Sequence, residues 1–424
     1  MSRPHTDVLP LSSQGLLQQK QASSIPLIIF AVCLTSVVTA VNYTNYGPLI
    51  PTLEADLHIT SGQAGLMSTF LFLGLATTYI PAGILIDRIG PRYVLLGSCI
   101  LLTIGGVLLP LYPNLVWILA WRTIVGFGTG GAFVAGANIA SRMGRHAPLA
   151  QGLYGGSIQI GSGCGLLITP LFFAWVGWRG SFLIWGLLGM LAVIAWLCIH
   201  DRQEVHSAKK IDVGAGLRSP SVWTLGLSHQ GTFGVGNAIA AWIAVYLANQ
   251  YGLPLALAAT LGSIALLTGM FFRPLGGILL ARRVIGAIPL LRAGTIVSCA
   301  GLALLVIPLR SPWLVIVGLA AIAIGTTTPY TPVFNEAAKL RSVGKGVAQG
   351  LVSMISCPAV IIGPPVIGLI YGSTGNISLA FSSILVFGCI AIISSFLAGP
   401  AVRRETSEFV TTPTPVPDGN PAGL

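Results

Sequence analysis

The chain has 424 residues, of which 54% are hydrophobic and 8% charged, and its mean hydropathy is +0.84. A soluble protein carries about a quarter charged residues, so this composition excludes a soluble globular domain and points to a polytopic membrane protein. The net charge of +11 raises nucleic acid as a partner, a reading that the placement of the charges removes below.

Residues 1–24 are polar and read as an N-terminal tail on the cytoplasmic side, with no signal peptide expected. Apolar runs of about 20 residues, long enough to cross a bilayer core, then follow. Six lie at 25–48, 62–86, 93–112, 114–141, 149–176 and 180–199, and six more at 221–249, 254–281, 287–309, 313–338, 346–372 and 377–399. The expected fold is therefore an all-α membrane protein of twelve transmembrane helices, in two six-helix halves at 25–199 and 221–400. The polar stretch 200–220 reads as a cytoplasmic linker. The Pro- and Thr-rich tail 401–424 is expected to be disordered, because it cannot bury a core.

Charge placement orients the bundle. With the N-terminus inside, 18 of the 22 Lys and Arg fall on the inner side; Arg179 and Arg310 lie outside, and Arg122 and Arg273 within helices. This is the positive-inside bias. It places both termini in the cytoplasm, makes the basic charge a topology signal, and leaves no role for nucleic acid. The seven cysteines all lie in apolar segments without CxxC or CxxH spacing, so they read as small core residues and no metal site is expected.

The halves repeat one another. Ala150-Gln-Gly-Leu153 opens helix 5 and Ala348-Gln-Gly-Leu351 opens helix 11; Asn138 and Asn335 close helices 4 and 10. The stretch Gly83-Ile-Leu-Ile-Asp87-Arg88-Ile-Gly90-Pro-Arg92 has a weaker copy in Arg273-Pro-Leu-Gly-Gly-Ile-Leu-Leu-Ala281-Arg282-Arg283. Two parallel six-helix repeats place a binding site at the midplane between them. Asp87 ends helix 2, where its own helix dipole opposes a negative charge. It needs a cation or another helix's N-terminus; Arg88 and Arg92 supply cations, and Gly83 and Gly90 leave room for a neighbouring backbone.

Within the helices, Thr35, Thr39, Asn42 and Tyr46 form one polar face of helix 1. Lipid does not tolerate such a stripe, so it faces protein or water. Arg273 lies eight residues before the end of helix 8, about 12 Å in at 1.5 Å per residue. No Asp or Glu lies deep in any helix to pair with it, as Glu54 and Glu336 sit near helix ends. A fixed cation without a buried acid suits a planar anion held bidentately; bonding to backbone carbonyls or phospholipid is the alternative. His229 sits well inside helix 7, either as a proton carrier or as a packing residue.

The Gly83–Arg92 pattern resembles the loop between helices 2 and 3 of the major facilitator superfamily. Arg122-x-x-x-Gly126-x-Gly128-x-Gly130 is similar to that superfamily's helix 4 motif, and Gly177-Trp178-Arg179-x-x-Phe182 to its helix 5–6 junction. The resemblance implies the major facilitator fold and alternating access by rocking of the halves. Gly83, Asp87, Arg88, Gly90 and Arg92 would then gate the cytoplasmic side, and Arg282 a second gate weakened by Ala281. It also implies a cavity lined by helices 1, 4, 7 and 10, with 2, 5, 8 and 11 contributing. That makes Asn42, Tyr46, Tyr79, Arg122, Gln159, Gln230, Asn237, Arg273, Thr327 and Tyr330 the substrate-binding candidates and His229 the proton-coupling candidate. Helix–helix hydrogen bonding is the competing role for the polar ones.

Arg273-Pro-Leu-Gly276-Gly277 and Gly152-Leu-Tyr-Gly-Gly156-Ser-Ile-Gln159-Ile-Gly161 further resemble the nitrate/nitrite porter branch. This chain departs from that branch at Gln159, where the branch has Asn, at Tyr79, where a partner Arg is expected, and at Ser356-Cys-Pro-Ala in place of a glycine run. These departures favour an organic anion over nitrate. Helix 5 also approaches the drug-antiporter pattern, but with Leu166 in place of its Pro. The expected protein is a monomeric, cofactor-free secondary transporter of a small anion in the cell (inner) membrane, not an enzyme. The alternatives are a proton-coupled exporter of drugs or amphipathic compounds and a transporter-like receptor that does not translocate.

Overall fold

A computed structural model describes residues 25–143, 147–199, 213–307, 311–340 and 345–411. The tail 1–24, residues 200–212 of the linker and 412–424 at the C-terminus lie outside the described residues. Among the described residues, eleven helices are long and apolar enough to cross a membrane. One of them, Ala150–Cys198, has 49 residues, about 74 Å at 1.5 Å per residue and too long for one crossing. It breaks at Gly177, with φ 69° and ψ −177°, a conformation essentially confined to glycine. Counted as two crossings, it brings the bundle to the expected twelve.

The crossing helices are α1 (Ile25–Leu57), α2 (Ser61–Ile89), α3 (Pro91–Leu111), α4 (Leu115–Ser141), α5 and α6 (Ala150–Cys198, divided at Gly177) and α7 (Pro220–Tyr251). They continue with α8 (Leu255–Ala281), α9 (Ala287–Val306), α10 (Pro312–Ala337), α11 (Val347–Thr374) and α12 (Ile377–Glu405). Local chemistry sets the boundaries. Thr60 and Gln63 form a capping box at the start of α2, and Asn114 caps α4. Gly90, at φ 88°, separates α2 from Pro91, which opens α3.

Two sequence-based boundaries shift. The final helix runs on to Thr411, so residues 401–411 are helical where disorder is expected. Ser219 ties this extension to the start of α7 by donating from its hydroxyl to Glu405 Oε2 at 2.7 Å. The linker, in turn, contains a short helix, Val213–Arg218.

Large apolar side chains such as Phe30, Val116 and Phe271 are exposed on the outside of the bundle, as lipid contact requires. Exposed Tyr93 and Trp223 lie at the end that carries Asp87 and Arg282 (the basic end), and exposed Tyr112, Trp175 and Trp313 at the opposite, far end. Such aromatic belts mark the two membrane–water interfaces. Inside, helices meet on small residues: a Cβ on Gly130 would fall 2.5 Å from Leu75 O, and one on Gly165 2.7 Å from Val41 O.

The halves meet most closely in the far half of the bundle. A Cβ on Gly47 would fall 2.7 Å from Ala241 O, and one on Gly65 2.5 Å from Pro364 O. Across α2 and α11, the Ser68 hydroxyl donates to Val360 O at 3.4 Å and the Thr69 hydroxyl to Ile361 O at 2.5 Å. These two carbonyls are the ones that Pro364 and Pro365, lacking N–H groups, leave unpaired in α11.

Candidate functional site

Arg273 is the charge around which the middle of the bundle is arranged. It is 6% exposed, with Nη1 donating to Gly155 O of α5 at 2.8 Å. Its guanidinium lies 4.3 Å from the Tyr330 ring centroid. Gly155 permits this approach, because a Cβ there would come within 3.2 Å of the Tyr330 ring. Arg273 Nε is buried without a partner. An unpaired buried donor costs about 1–3 kcal/mol, so the side chain is only half satisfied by the protein.

Arg273 lines a small cavity between the halves, together with Gln159, His229, Thr232, Phe233, Asn237 and Thr326. Leu266 and Ile322 supply apolar wall. An adjoining narrow space shares Arg273, His229 and Phe233 and reaches Tyr79, Tyr330 and Ser353. Neither lining contains an Asp, Glu, Lys or second Arg. Gly269 makes room for the Gln159 amide, since a Cβ there would fall 2.5 Å from its nitrogen.

A π-helical turn, Gln230–Gly234, interrupts α7 beside the cavity. Its wider turn is the kind of distortion that often accompanies functional sites, and Gly231 and Gly234 let neighbouring helices reach it. The Thr232 hydroxyl donates to His229 O at 2.9 Å and lies 2.8 Å from His229 Nδ1. The His229 ring stacks on Phe233 at 5.8 Å.

The structure thus brings Arg273, Gln159, His229, Asn237, Tyr79 and Tyr330 together. Others among the sequence-derived candidates lie elsewhere. Arg122 is fully buried and donates to Met67 O, Asn45 Oδ1 and Asn42 O at 3.1, 3.2 and 3.1 Å. Its guanidinium sits 5.0 Å from the Tyr46 ring. Asn42, Tyr46 and Arg122 therefore join α1, α2 and α4 and do not line the cavity. Thr35 likewise accepts from Trp196 Nε1 at 2.8 Å. Thr327 donates back to Ala323 O at 2.5 Å, and its neighbour Thr326 lines the cavity instead. Gln230 is buried with Oε1 unpartnered and lines neither space.

At the basic end, Gly83 and Asp87 line a third cavity with Asn138, Val347 and Gly350. Among the described residues no cation pairs with Asp87. Arg92 Nη2 donates to Trp196 O at 3.3 Å, while Arg88 and Arg282 are exposed. Asp87 instead shares its cavity with the first turns of α11, the positive end of that helix dipole. A Cβ on Gly83 would meet nothing within 4 Å, so this glycine makes no close approach. Gly90 serves the chain through its positive φ. Thr232, Phe233 and Ser353 are site residues that sequence reasoning passed over. The glycine pair in α7 was the one local signal for the first two.

The family model for the Major Facilitator Superfamily matches residues 32–364. A probable nitrate transporter of Staphylococcus haemolyticus is 24% identical over 375 residues, covering 85% of this chain and 94% of its own length. A putative metabolite transport protein of Haemophilus influenzae is 32% identical over 152 residues, 35% of this chain and 37% of its own length. Among solved structures, an inward-facing and occupied bacterial homologue of the human lysosomal transporter Spinster superposes with a TM-score of 0.73. It has 18% identity, with 90% of this chain and 99% of that one covered.

Proposed function

The chain belongs to the Major Facilitator Superfamily, and from that premise we propose that this membrane transport protein carries a small organic anion across a cell membrane by alternating access. The observation that carries the reading is Arg273, a buried guanidinium with an unpaired Nε in a midplane cavity whose lining holds no acid. A fixed cation inside a membrane protein is costly, and an anionic cargo offsets that cost. Relatives named as probable nitrate transporters support an anion. Tyr79 and Tyr330, where a second cation would grip a small oxyanion more fully, favour a larger one.

In this reading the basic end faces the cytoplasm, an orientation that the distribution of Lys and Arg supports. The α1–α7 and α2–α11 contacts seal the outside, and the space around Asp87 leads inward. His229, which lines the same cavity as Arg273, is the group proposed to couple a proton to the cargo. The test is uptake and counterflow in vesicles containing the purified protein. Saturable movement of an anion, abolished in Arg273→Gln, is the expected result. Transport of neutral or cationic compounds alone, indifferent to Arg273, would overturn the reading.

A further inference from the structure

Resting on that anion reading, the free edge of Arg273 narrows the cargo further. Arg273 Nη1 is committed to Gly155 O at 2.8 Å, and the Tyr330 ring covers one face at 4.3 Å. What remains is the edge formed by Nε, buried without a partner, and Nη2, for which no hydrogen bond is found among the described residues. The two parallel N–H groups of such an edge match two oxygens of one planar anion.

The charge balance sets the valence. With His229 neutral and no Asp, Glu, Lys or second Arg in the lining, one fixed positive charge balances one negative charge. A dianion here would keep a charge unpaired in a low-dielectric interior. The cavity's lining sets the body. The same space is lined by Leu266 and Ile322 and by Gln159. No hydrogen bond of the Gln159 amide is found among the described residues. The apolar wall favours carbon, and the amide favours a hydroxyl or carbonyl. An inorganic oxyanion has no part that would cover Leu266 and Ile322.

We infer that the cavity takes a small monovalent carboxylate, both oxygens on the Nε and Nη2 edge of Arg273, with a short organic body bearing one hydrogen-bonding group toward Gln159. Arg273 sets class and valence; Gln159 determines which body is preferred.

The experiment is thermal unfolding of the purified full chain against sodium acetate, propionate, 2-hydroxypropionate, nitrate and succinate and against propylammonium chloride, at matched ionic strength. Wild type is expected to be stabilised by the monocarboxylates, 2-hydroxypropionate most. Arg273→Lys keeps the charge but loses the fork, and is expected to weaken monocarboxylate binding about tenfold, the loss of one charge-assisted hydrogen bond. Gln159→Leu should equalise propionate and 2-hydroxypropionate. The wild-type ranking decides the matter even where a variant folds poorly. A response to nitrate without carboxylates, or to succinate above the monocarboxylates, would overturn this inference and leave the anion reading standing. Responses to propylammonium alone would overturn both. An undiminished carboxylate response in a folded Arg273→Lys protein would overturn the edge assignment.

Discussion

Arg122 and Arg273 both lie inside the bundle, 0% and 6% exposed, yet their hydrogen bonds differ in kind. Arg122 spends three donors on Met67, Asn45 and Asn42, whereas Arg273 spends one on Gly155 and keeps Nε unpaired. Hydrogen bonds to a charged group contribute about 1.5–3 kcal/mol each. Arg122→Ala is therefore expected to cost about 3 kcal/mol or more of stability, read as a lowered Tm in detergent. Arg273→Gln is expected to change Tm far less in the absence of ligand and to abolish uptake. His229→Gln leaves the cavity's shape and removes the titrating ring, so counterflow should persist while the pH dependence of net uptake is lost. Loss of counterflow as well would make His229 a contact for the cargo rather than for a proton.

Among elements, the two carbonyls of α11 freed by Pro364 and Pro365 are satisfied by hydroxyls from α2. These are bonds between the halves, so they exist only while the far halves stay together. Thr69→Val leaves Ile361 O unpaired in that arrangement, a penalty of about 1–3 kcal/mol. Its expected consequence is a population shift toward separation at the far end, measured as the labelling rate of a cysteine placed at Ser61. Pro365→Ala restores the missing N–H to Ile361 O, and in that background Thr69→Val should have much less effect. Glycines divide by the same structural reading. Gly177→Ala strains a backbone at φ 69° and should cost about 1–3 kcal/mol, while Gly83→Ala, with open space around it, should fold as well as wild type. The extent of the apolar runs, 149–176 and 180–199, matches the break between α5 and α6 at Gly177. Sequence periodicity had no means of showing the π turn in α7, because a wider turn depends on which helices press against it.

For the whole molecule, the positive-inside bias predicts that a fluorescent protein fused after Leu424 fluoresces and that alkaline phosphatase fused there stays inactive. The reverse pattern would invert the bundle and place the α2–α11 seal on the cytoplasmic side. The sequence by itself determined the membrane class, the twelve crossings, their two-half repeat and the presence of a deep cation without a deep acid. Each of these follows from local composition, spacing or charge count, which a linear chain carries openly. Only the tertiary structure decided which polar residues meet the cavity. Asn42, Tyr46 and Arg122 share a polar stripe or a motif with the expected site, yet they turn to one another across α1, α2 and α4. Gln159 from α5, His229 and Asn237 from α7 and Arg273 from α8 converge instead. A polar face in the sequence says that lipid is excluded from it; whether protein or cargo fills the space depends on a partner more than a hundred residues away, and only packing of the two halves supplies that partner.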